Sequence, residues 1–228
     1  MKMTKRIAVM AVCAAMAATS MISVCVSASE VTVNEKYLIS EMGQSASGIV
    51  PYADAVSLNV SKFEDKYRQG NGNWCWVACT QFVLKYLGKD CSQAEIYKSA
   101  KNTDTVEDKR GTLDECKTAI NNLEGSTFYS GNTATYKLVS GRIDNKNIVI
   151  IRGFRDGNSI GHTLVCYGYK ETTNSSGNTN YVLMIYDPDS NIGGYGTLTS
   201  TGEKSTSFTL KVGNNTSSFK TDNYIYGK

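Results

Sequence analysis

The sequence predicts an α+β fold, with a helical first part packed against an antiparallel β-sheet built from the rest. Three observations carry that expectation. Between residues 74 and 125, apolar side chains recur at three- and four-residue steps between cap signals, the period of helices that bury one face. After Gly125 the period falls to two, and β-branched and aromatic residues crowd together, as strands require. Between the polar run Gln69-Gly70-Asn71-Gly72-Asn73 and the first helix stands Trp74-Cys75-Trp76. A thiol there falls at the first helical turn, where unpaired backbone N–H groups and the macrodipole favour a thiolate.

The opening residues do not belong to that fold. Lys2, Lys5 and Arg6 precede an apolar run over residues 7–26, and Val26-Ser27-Ala28 is spaced for signal-peptidase cleavage before Ser29. Residues 1–28 are therefore expected to be an export signal. A membrane anchor is the alternative, but Thr19, Ser20 and Ser23 dilute the run. Val24 is too large a neighbour for Cys25 to suit a lipoprotein signal. Cleavage takes three of the 24 Lys and Arg residues and none of the 21 Asp and Glu. The balanced chain that remains has no basic field for nucleic acid or anionic lipid. No later run approaches spanning length, so a secreted, membrane-free, monomeric protein is expected. Its roughly 200 residues suffice for one domain.

Residues 29–52 are polar, with Gly43 and Gly48 before Pro51; they read as a leader or short pro-segment. The folded domain is expected over 53–228. Residues 55–60 alternate as a strand, and Phe63 and Tyr67 extend its packing. The helix from Trp74 carries Cys75, Cys79, Phe82 and Tyr86 on one stripe and stops at Gly88. Its apolar face is wide, which marks it as central. Ser92-Gln93-Ala94-Glu95 and Thr112-Leu113-Asp114-Glu115 are capping boxes that open helices reaching about Ala100 and Leu123. A charged loop over 101–111 separates them. Residues 127–129 and 134–139 read as short strands or irregular connections. Residues 147–152 form a buried strand, and 163–169 with 181–186 form a hairpin across a polar linker. Late strands are expected over 205–212 and 224–226.

Five cysteines survive cleavage: Cys75, Cys79, Cys91, Cys116 and Cys166. An odd number in an exported protein flags a free thiol. The four besides Cys75 could form up to two disulfides in three possible pairings, or serve as small buried hydrophobes. With no CxxC pair and a single histidine, nothing calls for zinc or another cofactor.

A cysteine nucleophile needs a basic partner, an orienter for that partner, and donors for an oxyanion. His162, the sole histidine, opens a strand in Gly161-His162-Thr163 after a flexible turn at 156–159. Gly161 would leave room there for an incoming ligand. Tyr186-Asp187-Pro188-Asp189 ends the next strand. If the two strands pair antiparallel, the end of the second lies beside the start of the first, which brings Asp187 to His162. Alone, Asp-Pro is an ordinary turn starter; Asp189 and Asn191 are lesser candidates.

Gln69, five residues, Cys75 and Trp76 together resemble the active-site signature of papain-like cysteine peptidases. Gly161-His162-Thr163-Leu164-Val165-Cys166-Tyr167-Gly168-Tyr169 looks like that family's histidine strand. The Asp-Pro strand end resembles the bacterial branch, which includes bacteriocin-leader peptidases and secreted effector proteases. The resemblance runs roughly from Leu58 to Asp189, with its three parts in order. It implies a papain-like α+β fold whose nucleophile helix packs on a C-terminal antiparallel sheet. It further implies Cys75 as nucleophile, His162 as its imidazolium partner and Asp187 as orienter. Gln69 would join the Cys75 backbone N–H as an oxyanion donor. Asn191-Ile192-Gly193-Gly194-Tyr195-Gly196 departs from the family pattern, which bears on substrate class. The expected partner is a protein or peptide substrate. A transglutaminase-like acyltransferase shares the Cys-His-Asp chemistry, but the upstream Gln69 and the 87-residue spacing of Cys75 and His162 favour the peptidase. A catalytically silent binding module on the same fold is the non-enzymatic alternative.

Overall fold

The computed structural model describes residues 55–60 and 67–228. The expected signal, the 29–52 leader and Phe63 lie outside them. Four helices come first among the described elements, interrupted by short strands. They are α1 (Cys75–Tyr86), α2 (Gln93–Lys101), α3 (Leu113–Glu124) and α4 (Tyr136–Asp144). Both capping boxes form: the side chains of Ser92 and Thr112 accept from the backbone N–H of Glu95 and Glu115, and each glutamate returns to its cap. Gly88 and Gly125 take the positive φ (93° and 85°) that stops a helix without steric cost.

Helix α4 corrects the strand reading of 134–139. The Thr135 side chain accepts from Leu138 N, and the buried residues are Tyr136, Val139 and Ile143. That cap and the three- and four-residue spacing outweigh the β-branched composition.

The strands are β1 (Val56–Ser57), β2 (Tyr129–Gly131), β3 (Ile148–Arg155), β4 (Gly161–Thr173), β5 (Thr179–Asp187), β6 (Gly194–Ser200), β7 (Ser207–Val212) and β8 (Asn215–Gly227). They form an eight-stranded sheet. Its order β4-β3-β8-β7-β6-β5 closes on itself because β5 also pairs with β4, giving an antiparallel, barrel-like ring. β1 adds to β4 and β2 to β8. Closure leaves few unpaired edges. β6 is absent from the sequence reading because three of its four inward positions, Gly194, Gly196 and Ser200, are small and leave Leu198 as the one large apolar residue of the alternation. A Cβ on Gly196 would stand 2.2 Å from Lys211 O, so the close pairing of β6 with β7 requires glycine there.

Helix α1 is central, as its wide apolar face predicts. It packs on β4 and β3 and also touches α2 and α3. Trp76, Val77, Ala78, Cys79, Phe82, Val83 and Leu84 are all buried. Phe82 meets Tyr186 at 5.0 Å between ring centroids and Tyr67 edge-on at 5.8 Å. At about 25 cal/mol per Å² of apolar area, these contacts supply the main force holding helix to barrel. No helix among the described residues is long and apolar enough to cross a membrane.

Candidate functional site

Cys75 is the first residue of α1, directly after Trp74, which provides no side-chain cap. The first intrahelical bond is Ala78 N to Trp74 O. The N–H groups of Cys75, Trp76 and Val77 therefore have no carbonyl within the helix to donate to. No acidic residue lies in this turn, so the helix terminus presents positive potential to the sulfur. Cys75 is half-buried, and its Sγ lies 3.6 Å from Thr163 Oγ1.

The β4–β5 hairpin supplies the partners. It pairs Val165 with Tyr186, so β5 ends beside the start of β4. His162 Nε2 stands 2.8 Å from Asp187 Oδ1, leaving Nδ1 as the ring nitrogen for the Cys75 thiol, whose sulfur favours the protonated imidazole. Asp187 is fully buried. Its Oδ1 also accepts from Asp189 N at 2.9 Å, and its Oδ2 accepts from Arg155 Nη2 at 2.5 Å.

The electrostatics follow from this geometry. Burial raises the pKa of the Cys75 thiol, but the hydrogen bond and charge of His162, with help from Thr163, outweigh burial and hold it below its ordinary value. Burial pulls His162 down, yet the Asp187 hydrogen bond and the Cys75 sulfur lift it to about 10. Burial also raises Asp187, and His162 and Arg155 bring it below the usual carboxylate range. All three shifts favour a thiolate, imidazolium and carboxylate in line. The other four cysteines are free and buried. Burial pushes all of them up, Cys116 and Cys166 to about 12. Of the alternatives left open for them, small buried hydrophobes is what the structure has.

Gln69 lines the same cleft, of about 320 Å³. Its Nε2 donates to Gly72 O at 3.0 Å, which uses one of the two amide hydrogens and leaves the other. Gln69 N donates to Pro188 O at 2.8 Å, so the loop before α1 is joined to the loop that ends β5. That glycine- and asparagine-rich loop is pinned. Gly70 N donates to Gln93 Oε1, and Asn73 N to Asp108 Oδ1, each at 2.8 Å. The charged stretch before α3 is pinned as well: Trp74 and Trp76 donate their indole N–H to Glu107 O and Lys109 O.

Two further expectations need correction. The turn at 156–159 is set rather than loose: Asp156 and Gly157 take φ of 48° and 70°, and Ser218 N donates to Asp156 Oδ1 at 2.8 Å. Gly161 does not leave open space. A Cβ there would stand 2.8 Å from Arg152 Nε, so the missing side chain makes room for a guanidinium beside His162. Of the lesser candidates, Asp189 holds the Asp187 loop. Its Oδ1 accepts from Asn191 N and Ile192 N, and its Oδ2 faces Arg155 Nη1 at 3.4 Å.

Sequence reasoning missed Arg155, Arg152 and Thr163. The signal for Arg155 was a register. Gly153 pairs with His162 across β3 and β4, so Arg155, two residues on, lies on the same face as the histidine.

A family model described as Peptidase_C39 like family matches residues 64–206. The chain belongs to the Peptidase_C39 like family. The matched span of this C39-like chain contains Gln69, Cys75, His162, Asp187 and Arg155. Among solved structures, the chain is similar to the crystal structure of UfSP from C. elegans, with 14% identity and a TM-score of 0.37. The likeness covers 83% of this chain and 36% of that one, so the chain spans about a third of its length. No curated protein sequence matches.

Proposed function

We propose that this C39-like chain is a cysteine endopeptidase working through Cys75, His162 and Asp187, with Gln69 at the oxyanion. The observation that carries the reading is the unbroken line from Cys75 through His162 to Asp187 at a helix N-terminus. The Cys75 thiolate attacks the scissile carbonyl carbon, and a carbon–sulfur bond forms as the oxygen becomes an oxyanion. The free amide hydrogen of Gln69 and the Cys75 backbone N–H receive that charge. As the carbon–nitrogen bond breaks, the His162 imidazolium passes its proton to the leaving amine and an acyl-thioester remains. Neutral His162 then takes a proton from water while the water oxygen attacks the thioester. The carbon–sulfur bond breaks and the thiolate–imidazolium pair returns. Asp187 keeps the imidazole oriented and stabilises its charge throughout.

The resemblance to the bacterial branch, together with the signal-like residues 1–28, extends this reading to a secreted enzyme acting on extracellular protein or peptide. An epoxysuccinyl inhibitor at mildly acidic pH tests the chemistry. Intact-mass analysis should show a single adduct on Cys75 among five thiols, and His162→Ala should abolish it. Labelling spread over several cysteines, or none, overturns the peptidase. Preferential incorporation of an added amine over hydrolysis would point instead to acyl transfer.

A further inference from the structure

Resting on that peptidase reading, charge in the cleft points to its substrate class. Three arginines line the cleft: Arg110 from the loop before α3, and Arg152 and Arg155 from β3. Arg155 is neutralised by Asp187 and Asp189. Among the described residues, the other two are paired less closely. The Arg110 side chain makes one hydrogen bond, from Nε to neutral Asn73 Oδ1 at 3.3 Å. Arg152 Nη1 makes a long ion pair, 4.0 Å, with the exposed Asp222 Oδ2 on neighbouring β8, which is not part of the cleft lining. Asp108 accepts the Asn73 backbone N–H and is outside the lining. Among the described residues, the single carboxylate that lines the cleft is Asp189, already engaged by Arg155 and by two backbone N–H groups.

Arg152 is also held where it matters. It pairs with Thr163 across β3 and β4, so Gly161 lies diagonally on the same face of the ladder. The absent Cβ of Gly161 lets the guanidinium lie against the backbone next to His162. A cation in a partly enclosed cleft whose one carboxylate partner is distant and solvent-exposed keeps much of its attraction for an incoming anion.

We infer that the cleft selects peptides carrying an aspartate or glutamate beside the scissile bond. Arg152 is the main receiver of that carboxylate, and Arg110 adds positive field from the opposite wall.

Peptidyl epoxysuccinates test this, made in sets that differ only by Glu, Gln or Lys next to the warhead, on either side of it. The readout is the second-order rate of Cys75 labelling by intact mass. In at least one set, the Glu probe should label roughly three- to tenfold faster than its Gln counterpart, and the Lys probe slowest. Raising salt from about 0.05 to about 0.5 M should shrink the ratio. R152Q should bring the Glu/Gln ratio close to one, R110Q should lower it partly, and R152K should keep most of it. Because the ratio compares two probes on one protein, a variant's general loss of reactivity does not mimic the effect. Equal Glu and Gln rates, or a ratio unchanged in both glutamine variants, overturns the inference. Iodoacetamide separates the two readings. If it singles out Cys75 while the probes show no charge preference, or fail to label, the acidic preference falls and the reactive thiol stands. If it does not single out Cys75, the peptidase reading falls too.

Discussion

Replacing Arg155 by Met tests whether the catalytic line has a fourth member. Asp187 has no solvent exposure, while the Arg155 side chain keeps 19%. Breaking a buried ion pair by removing one partner costs about 3–5 kcal/mol when both are fully buried. Water can reach the gap left by Arg155, and His162 and Asp189 N still hold Asp187 Oδ1. Those two facts bring the expected loss to about 2–3 kcal/mol. In a domain of this size that lowers Tm by roughly 5–10 °C. Part of the loss falls on ionisation: Asp187 loses a stabilising cation, and the Cys75 thiolate feels the change through His162. The acid limb of Cys75 alkylation by iodoacetamide should therefore move up. R155K should restore part of this shift, since a single ammonium replaces a fork that spans two carboxylates. An unchanged Tm refutes the ion pair. A lower Tm with an unmoved acid limb refutes the positioning role and leaves Arg155 merely structural.

Three other outcomes follow from the geometry. His162 is the sole histidine, so one imidazole signal in NMR should stay protonated through neutral pH and titrate near its raised value of about 10. The sign is fixed by linkage: stability from this raised pKa is complete below the unfolded value of about 6.5 and fades as pH climbs towards 10. Cys75→Ala should lower the titration midpoint, and titration near 6.5 in the intact protein would refute the pair. Gln69→Ala should cut kcat by about two to three orders of magnitude. Iodoacetamide alkylation, which forms no oxyanion, should slow far less; equal losses in both would remove Gln69 from the oxyanion site. A Cβ on Gly193 would stand 2.3 Å from Asp189 O and 2.4 Å from Asp187 O. Gly193→Ala should therefore cost about 1–3 kcal/mol in a denaturant melt and slow Cys75 alkylation as the Asp187 loop shifts; a neutral variant would show that this loop tolerates movement.

Much of the fold was open to local reading, because local chemistry writes it. Two capping boxes, the glycine stops at Gly88 and Gly125, and the apolar β3, β4 and β5 are decided by neighbours a few residues apart. The thiol at the start of α1 and the antiparallel hairpin that joins His162 to Asp187 are local in the same sense. Helix α4 was misread because its cap at Thr135 and its 136-139-143 stripe compete with β-branched composition. β6 escaped because three of its four inward residues are small enough to hide a strand's alternation.

The sequence by itself determined that a thiol, an imidazole and a carboxylate could meet, since each sits at an element end with only one plausible partner type. Tertiary structure alone decided what surrounds them. The register of β3 on β4 pairs Gly153 with His162 and so delivers Arg155 to Asp187. Gly161 proved to be a seat for Arg152 rather than a vacancy. The loop at 69–73 is pinned by Pro188 and by Gln93 and Asp108, the last two 23 and 35 positions from their partners. These contacts depend on register and on long-range packing, which no window of sequence contains.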